Sequence, residues 1–555
     1  MCGIVGYIGK REAAPIVLAG LKKLEYRGYD SFGVAIMGDT LQMYKQAGRI
    51  QPIPEMMGNI GIGHTRWATH GIPSDRNSHP FVDCKYQIAI VHNGIIENSD
   101  ELREKLLACG HKFTSDTDSE VIVHLVEDAY YGDLVNAVKW VVKDLVGSYA
   151  ILVLGEDQIV ATRKSSPLVI GIGDGEMFVA SDVLPILEYT NRVVYLNDGD
   201  IVDVCDIGDR EVTTIQWIPG KMDMGTFQHY MLKEIYEQPR VFYDSIRSEI
   251  TLPLTDVINI VGCGSSYYAG MVFKYLCEDI CRLSVNVYFG SEFRYFPPPI
   301  KGTVIGITQS GETADTLVAL GSVRECSKIA ITNVMGSSIT RVADSVILMQ
   351  AGPEVSVAAT KSFVAQLAIL LQVINVIQQG EFDDTLLSGH QVIDQVLQTD
   401  LMEAVGVCKN ATTMFYMSRG VFYPIALEGA LKMKEIAYIH AEGFPSGELK
   451  HGAIALVTEY TPVVVICMPG DTHSVIMSNI KEMQARGAPI IAIGEVGDSE
   501  LLRSADVMIP VPKTHPLLRV ITTTVVLQLL AYYTAVALER DVDKPRNLAK
   551  SVTVE

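Results

Sequence analysis

The sequence holds no Cys-x-x-Cys pair, and its ten cysteines are scattered at irregular spacings through 555 residues. This excludes a small disulfide framework and the common structural zinc motifs. His64, His70, His79 and His92 fall into no usual zinc spacing either, so no metal is expected. Basic residues are in deficit, 45 against 65 acidic, for a net charge of −20, and no basic block offsets it. Such a field repels phosphodiester backbones and anionic bilayers, so nucleic acid and membrane are not expected partners. No basic start or long apolar run precedes Gly3, Gly6 and Gly9, so a secretory signal is not expected. The longest apolar stretches, "SFVAQLAILLQVINVIQ" and "VITTTVVLQLLAYYTAVAL", carry glutamine and threonine and read as buried core helices. Together these absences lead to the expectation of a soluble chain in the cytoplasm.

What is present is a chain long enough for three or four domains, with 48% hydrophobic residues to fill their cores. The first 215 or so residues alternate short β-rich runs ("CGIVGYIG", "SFGVAIM", "YQIAIVHNG", "SYAILVLG") with turns. Helical patterns interrupt them at "EAAPIVLAGLKKLEYRG" and across Ser115 to Tyr131. Stacked antiparallel sheets with helices outside, an α+β domain, are expected there. The segment "HYMLKEIYEQPRVFYDSIRSE" reads as a polar linker helix docking on the next domain. From Val257 strands and helices alternate, as in doubly wound α/β domains with parallel sheets. This half is repeated. "TVIGITQSGETADT" is answered by "PVVVICMPGDTHSV", with Gly311 over Gly470. "INIVGCGSS" is answered by "MFYMSRGVF", and Ala343 and Asp344 by Ala505 and Asp506.

Cys2 has a small side chain, which favours trimming of Met1, and that loss would leave a thiol beside its own α-amine. An amine titrating near 8 is a base matched to a thiol near 8.5, so Cys2 is a candidate nucleophile. "HNG", at His92 to Gly94, ends a strand and offers an amide and a backbone N–H to an oxyanion. Arg66 and Asp118 supply the opposite charges that an amino acid's carboxylate and amine require. In the second half, "GCGSSYYAG" and "TQSGETADT" place small hydroxyl residues and glycines at strand-to-helix turns. Free N–H groups and the helix dipole favour a phosphate there. Neither is a Walker or dinucleotide fingerprint.

In this order, "MCGIVGYIG", "LEYRGYDSFG", "GIGHTRWATHG", "VHNGIIEN" and "SDTDSEVI" resemble the class II glutamine amidotransferases of the N-terminal nucleophile hydrolase kind. Paired α/β units with "QSGETADT", "YPIALEGALKMKEIAYIHAE", "GELKHG" and "DKPRNLAKSVTVE" resemble the sugar isomerase domains that follow in the glutamine:fructose-6-phosphate aminotransferase family. The resemblance implies a glutaminase domain at 1–217, a linker at 218–250, sugar isomerase domains at 251–390 and 400–540, and a catalytic tail at 541–555. It implies L-glutamine and fructose 6-phosphate as substrates, glucosamine 6-phosphate and glutamate as products, no cofactor, and a homodimer or larger homo-oligomer.

Residue by residue, it makes Cys2 the nucleophile and Asn93 and Gly94 the oxyanion donors. Arg66, Thr69, His70 and Asp118 would contact glutamine, and Trp67 would gate the passage of ammonia. Cys263, Gly264, Ser265, Ser266, Thr308, Gln309, Ser310, Thr313, Val357 and Ala549 would hold the phosphosugar. Lys550 would form a Schiff base, Glu435 would move the proton between C1 and C2 with Lys432 tuning it, and His451 would assist ring opening from a neighbouring subunit. Three positions depart from the family pattern: Thr308 for serine, Ser265 for threonine, and Ala359 where a sugar-contacting serine is usual. Ala359 removes a hydrogen-bond partner and motivates a second reading, another ketose phosphate as acceptor; a third, a catalytically silent phosphosugar binder, is disfavoured by intact Cys2, Glu435 and Lys550.

Overall fold

The computed structural model describes residues 2–215, 224–253 and 255–553. Met1, positions 218–223 of the expected linker and the last two residues of the expected tail lie outside the described residues. The chain forms two compact units: Met1–Gly220 with Glu312–Ala314 and Ala549–Glu555, and Lys221–Gly311 with Asp315–Leu548.

In the first unit, an eight-stranded antiparallel sheet runs in the order Thr213–Thr214, Arg192–Tyr195, Val169–Ile172, Met177–Ala180, Gly3–Ile8, Ile60–Arg66, Ser31–Met37, Leu41–Ala47. A second antiparallel sheet runs Ile201–Asp203, Ile159–Lys164, Gly147–Leu154, Ala89–Ile96, Phe81–Val82. Period-two burial decides their stacking. Ile4 and Ile62 pack with Val91 and Leu152 between the sheets, whereas Val5 and Tyr7 face Val17 and Leu21 of the helix Ala13–Leu24. The helices Glu120–Ala129 and Leu134–Val141 cover the other sheet through Val121, Val126 and Val138.

Two helices lie outside the sequence expectation. Ser99–Ala108 buries only Leu102 and Leu106, too sparse an apolar stripe to read. Leu134–Val141 is short, and its signal is its cap: Asp133 accepts the Asn136 N–H (2.9 Å).

The second unit carries two five-stranded parallel sheets of one topology. The first runs Ser284–Phe289, Val257–Gly262, Thr303–Ile307, Ser327–Thr332, Ser345–Leu348; the second runs His440–Pro445, Thr413–Ser418, Val463–Ile466, Ile490–Glu495, Val507–Val511. The expected duplication is visible in single residues. Asp344 accepts the Lys328 N–H and Asp506 accepts the Ile490 N–H, at 2.8 and 2.7 Å. Gly264 and Gly420 turn the chain out of the first strand of each copy at φ of 53° and 57°, where side chains beyond glycine are strained.

The expected linker helix is two helices, Tyr230–Tyr236 and Gln238–Ser245, with Pro239 at the start of the second. Met231, Ile235, Val241 and Phe242 are wholly buried in this unit's core, so the segment belongs to the unit's packing. The two apolar stretches are core helices as expected. Lys361–Ile377 is almost entirely buried, and Pro516–Ala537, long and apolar enough to cross a membrane, has 83% of its apolar window inside the protein.

Candidate active site

Register brings the first cluster together. Gly3 pairs with Thr65 and Ile4 with His64, so the start of the first strand lies beside Arg66 and Trp67. The Trp67 N–H donates to Cys2 Sγ at 3.2 Å, and the thiol reaches back to the Trp67 carbonyl at 3.5 Å. Asn93 Nδ2 donates to the Cys2 carbonyl at 3.0 Å. Burial raises the Cys2 thiol above its ordinary range, while the Trp67 N–H and the Arg66 charge pull the other way. A thiol so placed needs a base at hand to react. Gly94 has φ of 133°, and a Cβ there would lie 2.0 Å from the Ser148 carbonyl oxygen, so this position admits only glycine.

Arg66 is buried and held by the carbonyls of His70 and Gly71. Its Nη1 has no hydrogen-bond partner among the described residues, which leaves a cationic donor for a carboxylate. Asp118 is also buried; its Oδ2 accepts the Ile96 N–H at 2.9 Å and its Oδ1 accepts the Ser119 hydroxyl at 3.3 Å. Thr69 and His70 are exposed. Trp67 is half-buried, edge-on to Tyr29 with ring centroids 5.9 Å apart.

Sequence reasoning missed His64 as a positioning residue. Its Nε2 lies 2.9 Å from the His92 carbonyl and 3.0 Å from Asn93 Oδ1. Both are acceptors, so Nε2 carries the proton, and it turns the Asn93 amide so that Nδ2 faces Cys2. His64 also stacks on His79 (centroids 4.1 Å), and the His92 N–H donates to His79 Nδ1 at 3.2 Å. The only signal available was its place in "GHTR".

Burial, with Arg66 nearby, lowers His64 to about 3, and burial also depresses His79 and His92. A histidine whose folded pKa lies below its unfolded value near 6.5 contributes stability that is present above pH 6.5 and lost as pH falls toward the folded value, about 1.4 kcal/mol for each unit of depression. The urea midpoint for loss of glutamine hydrolysis is therefore expected to fall between pH 6.5 and 4. His64→Gln, which keeps a donor but does not titrate, is expected to flatten that slope. A wild-type midpoint that stays level over this range would refute the account.

In the second unit, the helix Phe422–Lys432 runs on into one π-helical turn, Met433–Ala437, which carries Glu435. Such turns are frequent at functional sites. Lys432 is fully buried, with Nζ 2.5 Å from Glu435 Oε2 and 3.4 Å from Glu428 Oε1. Ser265 donates to Glu428 Oε1 at 3.0 Å. Burial alone would push the Lys432 ammonium down, but the two carboxylates hold it above the ordinary lysine range. Burial also lifts Glu428 to about 7, against the pull of Lys432. Glu428 is a second residue that sequence reasoning missed; in "IALEGALKMKE" it reads as one more helix glutamate.

The two phosphate-type loops follow the strands Val257–Gly262 and Thr303–Ile307. These neighbours flank the point where the strand order reverses, and ligands of open α/β sheets bind there. Cys263 through Ser266 open the helix Ser265–Ile280. The Thr308 N–H donates to the Ile331 carbonyl (3.1 Å), and the Gln309 carbonyl accepts from Asn333 N–H (3.0 Å), which shapes the turn holding Ser310. Val357 is buried with its N–H on the Asp543 carbonyl (3.0 Å), and Ala359 is half-buried beside it.

Thr313, Ala549 and Lys550 group with the first unit, where the Ala314 N–H donates to the Val552 carbonyl at 3.0 Å. His451 is exposed at the end of the 3-10 turn Glu448–His451.

Comparisons with known proteins agree with both halves. Residues 64–188 match the glutamine amidotransferase domain, and residues 256–376 and 408–538 match the SIS domain. The chain is 43% identical to a protein of Chlorobaculum tepidum and 45% identical to one of Thermococcus kodakarensis, each over 100% of both sequences. Both are named glutamine–fructose-6-phosphate aminotransferase (isomerizing). Among solved structures, the C-terminal domain of glucosamine-fructose-6-phosphate aminotransferase from Francisella tularensis is 33% identical, with a TM-score of 0.54. It covers 58% of this chain, and all of that domain is matched. A glucosamine-6-phosphate deaminase from Thermotoga maritima, 23% identical at a TM-score of 0.50, shares the fold.

Proposed function

The chain belongs to the glutamine:fructose-6-phosphate aminotransferase (isomerizing) family, and from that premise we propose how its residues divide the reaction. The enzyme takes the amide nitrogen of glutamine and converts fructose 6-phosphate to glucosamine 6-phosphate, releasing glutamate. The observation that carries the division is that one chain holds a half-buried cysteine beside Trp67, Arg66 and Asn93 and a pair of hydroxyl-rich loops at the switch point of a parallel sheet.

The Cys2 thiol, its proton taken by the α-amine exposed when Met1 is removed, attacks the glutamine amide carbon. Asn93 Nδ2 and the Gly94 N–H stabilise the oxyanion. Arg66 holds the substrate carboxylate and Asp118 its amine, with Thr69 and His70 at the rim. Collapse expels ammonia, and water then cleaves the thioester to glutamate. The ammonia passes to the sugar site with Trp67 as gate; in bulk water it would be protonated and lost as a nucleophile.

Ser266, Thr308, Gln309, Ser310 and Thr313 hold the phosphate, and Cys263, Gly264, Ser265, Val357 and Ala549 complete the sugar site. His451 assists ring opening, and Lys550 forms the Schiff base at C2. Glu435 moves the proton between C1 and C2, with the ammonium of Lys432 2.5 Å from its Oε2. The working form is a cytoplasmic homodimer or larger homo-oligomer.

Incubation of the purified chain with glutamine and fructose 6-phosphate is expected to yield glutamate and glucosamine 6-phosphate in equal amounts. Glutamate without amino sugar would point instead to another ketose phosphate as acceptor, the reading that Ala359 motivates. Neither product would refute the proposal.

A further inference from the structure

Away from Cys2, the first unit gathers four donor atoms from three separate stretches of chain. Cys84 lies in the turn between the strands Phe81–Val82 and Ala89–Ile96, His111 in the loop after the helix Ser99–Ala108, and His124 and Glu127 one turn apart on the helix Glu120–Ala129. Cys84 Sγ is 3.7 Å from His111 Nδ1 and 3.7 Å from His124 Nδ1. Glu127 Oε2 is 3.2 Å from His111 Nδ1 and 3.4 Å from His124 Nδ1. All four donors lie within 4.8 Å of one another.

These separations match the edges of a zinc tetrahedron. Zn–S near 2.3 Å and Zn–N or Zn–O near 2.0–2.1 Å place sulfur and nitrogen roughly 3.6 Å apart, and nitrogen and oxygen roughly 3.4 Å apart. The surroundings fit as well. His111 Nε2 lies 2.9 Å from Asp128 Oδ1, so its N–H points outward to a carboxylate. Its Nδ1 faces the Glu127 carboxylate at 3.2 Å, a gap that either a bound cation or a proton on Nδ1 would bridge. The carboxylate–histidine–metal arrangement is the usual second shell of such a site. The side chains of His111, His124 and Glu127 are 8%, 1% and 9% exposed, so three of the four donors are withdrawn from water, and Cys84 closes the set from the surface. A thiolate, two imidazoles and one carboxylate suit zinc above calcium or magnesium, whose ligands are oxygens.

We propose that Cys84, His111, His124 and Glu127 bind one Zn²⁺ as a closed structural site. On binding, the Cys84 thiol releases its proton to solvent. The site clamps the turn that leads into the Asn93–Gly94 strand onto the helix that follows Asp118, and so ties the oxyanion donors to the amine-binding residue. The chain positions involved match no common zinc spacing, so only folding reveals the set.

The test uses the untagged full-length chain, expressed with zinc and dialysed without chelator. Elemental analysis is expected to find one zinc per chain. Exchange for Co²⁺ is expected to give the intense d–d bands of a tetrahedral ion and a thiolate-to-cobalt charge-transfer band. Cys84→Ser is expected to abolish the charge-transfer band, and His111→Gln to lower the stoichiometry. A strong chelator is expected to lower the melting temperature of the wild type, restored by zinc, and to leave both variants unmoved. Should Cys84→Ser fail to fold, the wild-type cobalt spectrum and His111→Gln decide. A wild-type chain that holds no zinc and takes up no cobalt would overturn the proposal and assign the cluster to a protonated His111 paired with Glu127. Metal content unchanged in both variants would overturn it too.

Discussion

Cys2→Ala is expected to lower glutamine hydrolysis by roughly 10³-fold or more, the scale on which loss of a covalent nucleophile is felt. Amino sugar made from ammonium salts and fructose 6-phosphate is expected to persist. The reason lies in what surrounds the sulfur. Trp67 N–H at 3.2 Å and the Arg66 charge are arranged around a thiol that burial otherwise keeps protonated, and alanine leaves nothing there to carry the acyl group. The sugar chemistry is assigned to Glu435 and Lys550, residues that make no use of the thiol. A chain in which Met1 is retained is expected to behave like the alanine variant, since the amine that would take the proton is then a peptide nitrogen. Mass spectrometry of the amino terminus, paired with separate assays of glutamate and amino sugar, checks both. Loss of the ammonium-dependent activity in Cys2→Ala would refute the division of labour.

Lys432→Met is expected to cost about 3–5 kcal/mol of stability, the penalty for removing one partner of a buried ion pair. Nζ is fully buried between Glu435 and Glu428, at 2.5 and 3.4 Å. Glu428, already lifted to about 7 by burial, would lose the cation that keeps it from rising further. A carboxyl whose folded pKa is raised contributes stability that is present below its unfolded pKa and lost as pH rises through the folded value. The variant is therefore expected to be least stable above pH 7 and to recover toward pH 5. Denaturation followed by far-UV circular dichroism at the two pH values measures this. Glu428→Gln added to Lys432→Met is expected to return part of the loss. A single variant as stable as the wild type at pH 8 would show that the cluster is not held by this ion pair.

Much of the architecture was legible in local pattern. Short β-rich runs between turn residues marked the strands of the first unit, and the match of "INIVGCGSS" with "MFYMSRGVF" set Gly264 over Gly420, which make equivalent turns in the two copies. The pairing of Asp344 with Asp506 in the repeat turned out to have one physical meaning, since each accepts the N–H of the residue that opens or nearly opens the fourth strand of its sheet. What escaped local reading were residues whose work depends on a distant partner. His64 reads as one histidine among several, yet it sets the amide of Asn93, 29 residues on. Glu428 reads as an exposed helix glutamate, yet it is 2% exposed and bonded to Ser265, 163 residues away. The segment before Val257 reads as one docking linker helix, yet it is two helices whose Met231, Ile235, Val241 and Phe242 are wholly buried in the unit's core.

The sequence by itself determined the order of the modules and the class of each sheet, because period, glycine placement and motif are properties of neighbouring residues. Only the tertiary structure decided which side chains share a charge, a proton or a donor. His64 behind Asn93, Glu428 on Ser265, and the meeting of Cys84 with His111 and His124 each arise from strand register and helix packing. Those bring residues tens to hundreds of positions apart within 4 Å, and at that distance, out of water, the energies grow large enough to govern function.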